Sequence, residues 1–202
     1  MNKHYPAQGV TTAALYNTMI KGKFTGLDTA SYMANTCATR MSYALLRSGF
    51  NLPQTTDPKG SLKGEDDKFY WIRVADLRVE LQKRFSGYDE TLKFDDMDKK
   101  LTEDPAALAK RILARREKAQ KFLDTKLANK NGIIVFRVKG WGDATGHFTL
   151  WNGASNVLAF VPGHDDITKD TYYPWLTELR TKKDPEEKFL IYTSEIQFWE
   201  LK

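Results

Sequence analysis

Two residues far apart in the chain have the chemistry of a nucleophile and its base. Cys37 is the only cysteine among 202 residues, and His147 follows it by more than 100 positions. A cysteine acts as its thiolate. The positive end of a helix together with an imidazolium partner lowers the thiol pKa, so an ion pair near neutral pH is the expected resting state. The same backbone N–H groups can hold a developing oxyanion. The competing reading is a packing cysteine, since free Cys is among the most buried residue types.

His147 lies in Gly140-Trp141-Gly142-Asp143-Ala144-Thr145-Gly146-His147-Phe148-Thr149-Leu150-Trp151-Asn152-Gly153, where glycines permit close backbone approach before an alternating strand. A third group must orient the imidazole through its other nitrogen, which suits Asn or Asp on the paired strand. Asn156 is the first side chain after the Asn152-Gly153 turn that could reach back. Asn152 and Asp143 are the rivals, and Asn152 also reads as a turn residue.

The elements that must position these residues follow from periodicity. Cys37, Met41, Ala44, Leu45 and Ser48 fall on one helical face, Asn35 or Thr36 serves as N-cap, and Gly49 supplies the left-handed stop. Leu15 to Ile20 reads as a short helix, Asn51 to Lys68 as a loop, and Val74, Leu77 and Leu81 as a second amphipathic helix. Asp104-Pro105 starts a long helix that runs towards Asn131-Gly132, with Lys110, Arg111, Arg115, Arg116, Lys118 and Lys121 as an exposed basic face. Strands are expected at Ile133 to Val138, His147 to Trp151 and Val157 to Val161. A closing pair is expected at Lys188 to Thr193 and Ile196 to Leu201. Helices first and an antiparallel sheet second make an α+β fold, expected as a single domain over residues 1–202.

Composition narrows the function classes. The chain is 41% hydrophobic and 28% charged, which suits a packed globular protein. One cysteine excludes an intramolecular disulfide, and His4, His147 and His164 show no ligand spacing, so no metal is expected; a cysteine nucleophile with a histidine base needs no cofactor. No apolar run approaches the roughly 20 residues of a membrane span, so membrane insertion is not expected. Residues 1–9 lack an apolar core with a cleavage site, so the expectation is synthesis in the cytoplasm without a Sec-type signal. A formal charge of +5 permits an anionic partner without selecting one. A basic, non-catalytic domain that binds nucleic acid or cell-wall polymer is therefore the alternative function. The solvated basic helix face argues for no nucleic acid as partner.

Three blocks carry a family resemblance: Asn35-Thr36-Cys37-Ala38-Thr39-Arg40-Met41-Ser42-Tyr43-Ala44-Leu45, Gly140-Trp141 through Gly146-His147 to Gly153, and Phe198-Trp199-Glu200-Leu201. In this order they resemble the fourth family of type VI secretion amidase effectors. The resemblance implies a papain-like, NlpC-type fold, with the nucleophile at the N-terminus of a helix packed on an antiparallel β-sheet. It implies hydrolysis of the D-glutamate to meso-diaminopimelate amide in peptidoglycan stem peptides, after delivery by the type VI apparatus into the periplasm of a competing Gram-negative cell. A cognate immunity protein is implied as partner. Cys37 matches the family nucleophile and His147 the family base. The family has Asp at the third position, where alignment on Phe160 places Asn156. Arg40 could pair with a stem-peptide carboxylate, or serve structurally. Trp141 and Trp151 could floor the substrate cleft, or belong to the core.

Overall fold

The computed structural model describes residues 1–6, 9–97, 104–159, 163–181 and 188–202. Its elements are α1 (Cys37–Arg47), β1 (Ser61–Lys63), β2 (Phe69–Trp71), α2 (Val74–Arg84), β3 (Glu90–Lys93), α3 (Pro105–Phe122), β4 (Asn131–Lys139), β5 (Gly146–Asn152), β6 (Val157–Leu158), β7 (Thr177–Thr181) and β8 (Lys188–Glu200). They form two compact units. The first comprises residues 1–87 and 147–149, the second residues 88–146 and 150–202.

In the first unit, α1 starts at Cys37 and ends as Gly49 foretells. Gly49 adopts φ 88, its N–H donates to Leu46 O at 3.2 Å, and the Phe50 N–H donates to Leu45 O at 3.0 Å. That paired arrangement closes the last helical turn on a left-handed glycine. The buried face is wider than one stripe, because Ala38, Thr39, Arg40, Ser42 and Leu46 are buried along with Cys37, Met41, Ala44 and Leu45. Leu15 to Ile20 falls within a π-helical turn, Ala14–Ile20. Phe24 meets Tyr16 at a tilt and Tyr70 edge-on, with centroids 5.2 and 5.8 Å apart. The stretch Asn51 to Lys68 is more than a loop: Asp57 caps a short turn at Pro58–Gly60, and β1 then pairs antiparallel with β2.

In the second unit, the six-stranded sheet has the order β3-β8-β4-β5-β6, with β7 also on β8. The described pairings are antiparallel. The expected closing pair is instead one continuous strand, β8. Its first half pairs with β7 and its second half with β3, while β4 runs along the other side. Those partners occupy the backbone groups of both halves, so no turn is needed between Thr193 and Ile196. Asp104 caps α3 as predicted, accepting from the Ala106 and Ala107 N–H groups at 3.0 and 3.1 Å, with Pro105 at the first helical position. Ala119, Phe122, Leu123 and Leu127 meet Ile134, Phe136, Ile196 and Phe198 in one core.

The basic run on α3 is not a free face. Arg115 is buried: its guanidinium donates to Asp95 O and Thr193 O and lies over the Phe94 and Tyr192 rings. Arg111, Arg116 and Lys118 donate to the carbonyls of Asp96, Ile167 and Lys93. Among the described residues no helix is long and apolar enough to cross a membrane, and no group of three His, Cys, Asp or Glu side chains could hold a metal ion.

Candidate active site

Cys37 occupies the first position of α1, where helical N–H groups have no intrahelical acceptor. Thr36 stands at the cap position, yet its side chain does not cap: φ −93 and ψ 0 are already helical, and its hydroxyl accepts instead from Arg40 Nε at 2.9 Å. The open N–H groups of Cys37 and Ala38 are consequently available to the Cys37 sulfur. The backbone N–H of Phe148, on β5, likewise favours the thiolate. Phe148 is the residue next to His147, and residues 147–149 belong to the same unit as the helix.

The electrostatics differ from the expected resting ion pair. Burial, with Cys37 only 4% exposed, pushes its thiol from 9.0 up to about 11. The three N–H groups and the Arg40 charge act in the opposite direction without overcoming desolvation. The thiol is therefore protonated at neutral pH, and Sγ donates to Asn35 Oδ1 at 3.3 Å. His147 is half-buried with its Nε2 atom enclosed. A buried, protonated thiol beside stacked N–H donors can act as a nucleophile once a base accepts its proton.

Arg40 is a structural residue rather than a substrate-binding one. It is 3% exposed, and its guanidinium donates to Pro6 O and Val10 O, each at 2.6 Å, as well as to Thr36. A fork committed to carbonyls inside the protein cannot also grip a substrate carboxylate. Trp151 is likewise excluded as a cleft wall, being 2% exposed with its indole N–H on Leu127 O at 3.0 Å. Trp141 is half-buried, edge-on to Tyr173 and His164 at centroid distances of 6.1 and 6.5 Å.

The expected third member is Asn156. Asn156 is exposed in the turn before β6 with φ 52, a left-handed conformation that Asn tolerates better than most residues. The register pairs Trp151 with Leu158 and Asn152 with Val157. Asn156 therefore lies in the turn that joins β5 to β6. Residues 160–162, including the alignment anchor Phe160 and the end of the expected strand Val157 to Val161, lie outside the described residues. Asn152 Oδ1 accepts from the Ala154 N–H at 3.1 Å, the mark of a turn residue. Asp143 is exposed in a bend, and its charge acts on Arg180.

Asn35 and the Phe148 peptide were not singled out as site groups by residue type. Asn35 carried a signal, standing two positions before the nucleophile, but as a cap candidate. A backbone N–H carries none.

The family described as Type VI secretion system (T6SS), amidase effector protein 4 (Tae4) matches residues 33–199. Among solved structures, Tae4 from Enterobacter cloacae is 25% identical, with a TM-score of 0.61 over 99% of this chain and 92% of that one. The Tae4–Tai4 effector–immunity complex from the same organism matches at 26% identity and TM-score 0.57, over 94% of this chain and 89% of that one. The Tae4–Tai4 complex from Salmonella Typhimurium shares the fold at 22% identity and TM-score 0.58, over 100% and 97% of the two chains. No curated protein sequence matches.

Proposed function

The chain belongs to the type VI secretion amidase effector protein 4 family, and from that membership we propose that it is an antibacterial cysteine peptidase cutting the γ-D-glutamyl to meso-diaminopimelate amide of peptidoglycan stem peptides. As an amidase effector it is a hydrolase. The reading of the site rests on one observation: Cys37 opens α1 in the same compact unit as His147, whose neighbour Phe148 has a backbone N–H that favours the Cys37 thiolate.

Because burial holds the thiol protonated, the reaction begins with general-base catalysis. His147 takes the Cys37 proton as the sulfur attacks the carbonyl carbon of the scissile amide. The oxyanion is held by the Cys37 backbone N–H. Collapse breaks the C–N bond, and His147 gives its proton to the departing diaminopimelate amine, leaving a thioester on Cys37. Water then attacks the thioester, its proton passing to His147. The D-glutamate carboxylate leaves and the thiol is restored. Asn156, Arg40 and Trp151 have no part in this scheme. Trp141, half-buried and not enclosed, keeps the role of substrate contact.

The layout is that of a papain-like, NlpC-type peptidase, and the single functional domain spans residues 1–202. Delivery is by the type VI apparatus into the target cell's periplasm. A cognate immunity protein blocks the site in the producing cell, as the Tae4–Tai4 complexes suggest by analogy. The test is digestion of purified Gram-negative sacculi by wild type and Cys37→Ala, with soluble fragments identified by mass. Fragments cut between D-glutamate and diaminopimelate, released by wild type alone, support the proposal. No release by a folded wild type overturns it.

A further inference from the structure

The helix that carries Cys37 and the strand that carries His147 are both tied to the N-terminal segment. On the helix side, Arg40 lies one turn after Cys37 and donates to Pro6 O and Val10 O, each at 2.6 Å. On the strand side, the Tyr5 hydroxyl donates to the carbonyl of Phe148 at 3.4 Å, with the Thr149 hydroxyl beside it. Tyr5 and Pro6 are adjacent in sequence and buried, and both lie before residue 33, where the family match begins. Phe148 is thus held at its carbonyl by Tyr5, while its N–H favours the Cys37 thiolate.

We propose that Tyr5, Pro6 and Val10 strap the active site, with Tyr5 and Arg40 as positioning residues that fix the Cys37 helix and the His147 strand in register. The proposal rests on Cys37 and His147 being the nucleophile and base. A strap of this kind acts on reactivity through geometry. If β5 slackens at Phe148, the N–H leaves the sulfur, the thiolate loses a donor, and the base drifts from its line of transfer. Misplacement by about 1 Å costs up to about 100-fold in rate.

Tyr5→Phe removes only the hydroxyl, and Arg40→Lys keeps the charge while losing the two-carbonyl fork. Two readouts decide the matter: kcat and KM on a defined stem tetrapeptide, and the pH profile of Cys37 alkylation by iodoacetamide without substrate. Both variants are expected to lower kcat about tenfold with KM within about twofold. Both should also move the alkylation midpoint upward by about half a pH unit, as loss of a donor to the thiolate requires. An unchanged midpoint and kcat overturn the strap, as does a lowered melting temperature with the alkylation profile unmoved. A folded wild type that leaves stem peptides intact overturns the hydrolase reading of the site, and the alkylation profile still decides the strap. Should Tyr5→Phe fail to fold, Arg40→Lys carries both readouts.

Discussion

The backbone N–H of Phe148, the residue next to His147, favours the thiolate of Cys37 across more than 100 residues of sequence. If that relationship marks a catalytic pair, Cys37→Ala lowers hydrolysis of sacculi by about 10⁴-fold or more. The cost in stability is only about 1 kcal/mol, as for a small core truncation. Fragment release and urea unfolding measured on the same preparation check both halves. Retained hydrolysis would make Cys37 a packing residue.

The buried thiol gives a pH signature in stability. Its pKa is raised from 9.0 to about 11, so the unfolded chain gives up its proton first, and the stabilisation is intact below pH 9 and lost as pH rises through about 11. Wild type should therefore lose about 3 kcal/mol relative to Cys37→Ala across that window. Subtracting the variant cancels the buried tyrosines, which titrate in both proteins. A difference that stays constant from pH 8 to 11 in parallel urea titrations would contradict a buried, protonated Cys37.

Asn35 Oδ1 accepts the thiol proton at 3.3 Å and so favours the neutral form. Asn35→Ala should lower the midpoint of Cys37 alkylation by about half a pH unit, the worth of a weak hydrogen bond. Iodoacetamide kinetics between pH 6 and 11 measure it directly. A rise in the midpoint would mean that Asn35 supports the thiolate instead.

Ser42 joins α1 to β2 through one hydroxyl, which donates to Trp71 O and accepts from the Trp71 N–H, both at 3.1 Å. Ser42→Ala strands two buried backbone groups and should cost about 2 kcal/mol, read from the urea midpoint. Because the Ser42 hydroxyl is committed to Trp71, kcat should stay within about twofold. A loss below about 0.5 kcal/mol would show that Trp71 finds other partners.

Asn156 gives a test with the opposite sign of expectation from the alignment. Its left-handed φ of 52 predicts that Asn156→Ala costs about 1 kcal/mol and Asn156→Gly costs less. Neither should alter kcat by more than about twofold. A hundredfold fall in kcat with Asn156→Ala, the fold being intact, would restore it as the residue that orients His147.

The elements nearest the nucleophile were legible because their causes are local. The stop of α1 at Gly49 and the cap of α3 at Asp104 rest on residues within a few positions of each other, and both formed as read. The hairpin in Asn51 to Lys68 was hidden by its Pro, Gly and Lys content, since β1 and β2 are three residues each and too short to show alternation. The uninterrupted β8 was hidden for another reason. Thr193, Ser194 and Glu195 look like a break in an apolar run, but all three are buried by partners from distant segments.

By itself the sequence determined that a lone cysteine opens a helix, that a histidine stands near the start of a strand, and that the blocks around them follow the order of an amidase effector family. It could not determine what surrounds those two residues. Arg40 reads as a substrate-pairing or structural charge and Arg115 as a surface one, yet each is buried, with carbonyl oxygens from remote segments, Pro6 and Val10 for one and Asp95 and Thr193 for the other, accepting its N–H groups. Asn156 was placed by counting along an alignment, whereas strand register fixes which residues face each other, and register depends on hydrogen bonds between segments. The protonated state of Cys37 was decided by the structure alone, because desolvation depends on everything packed around the sulfur, while the helix end that opposes it is a property of the local chain.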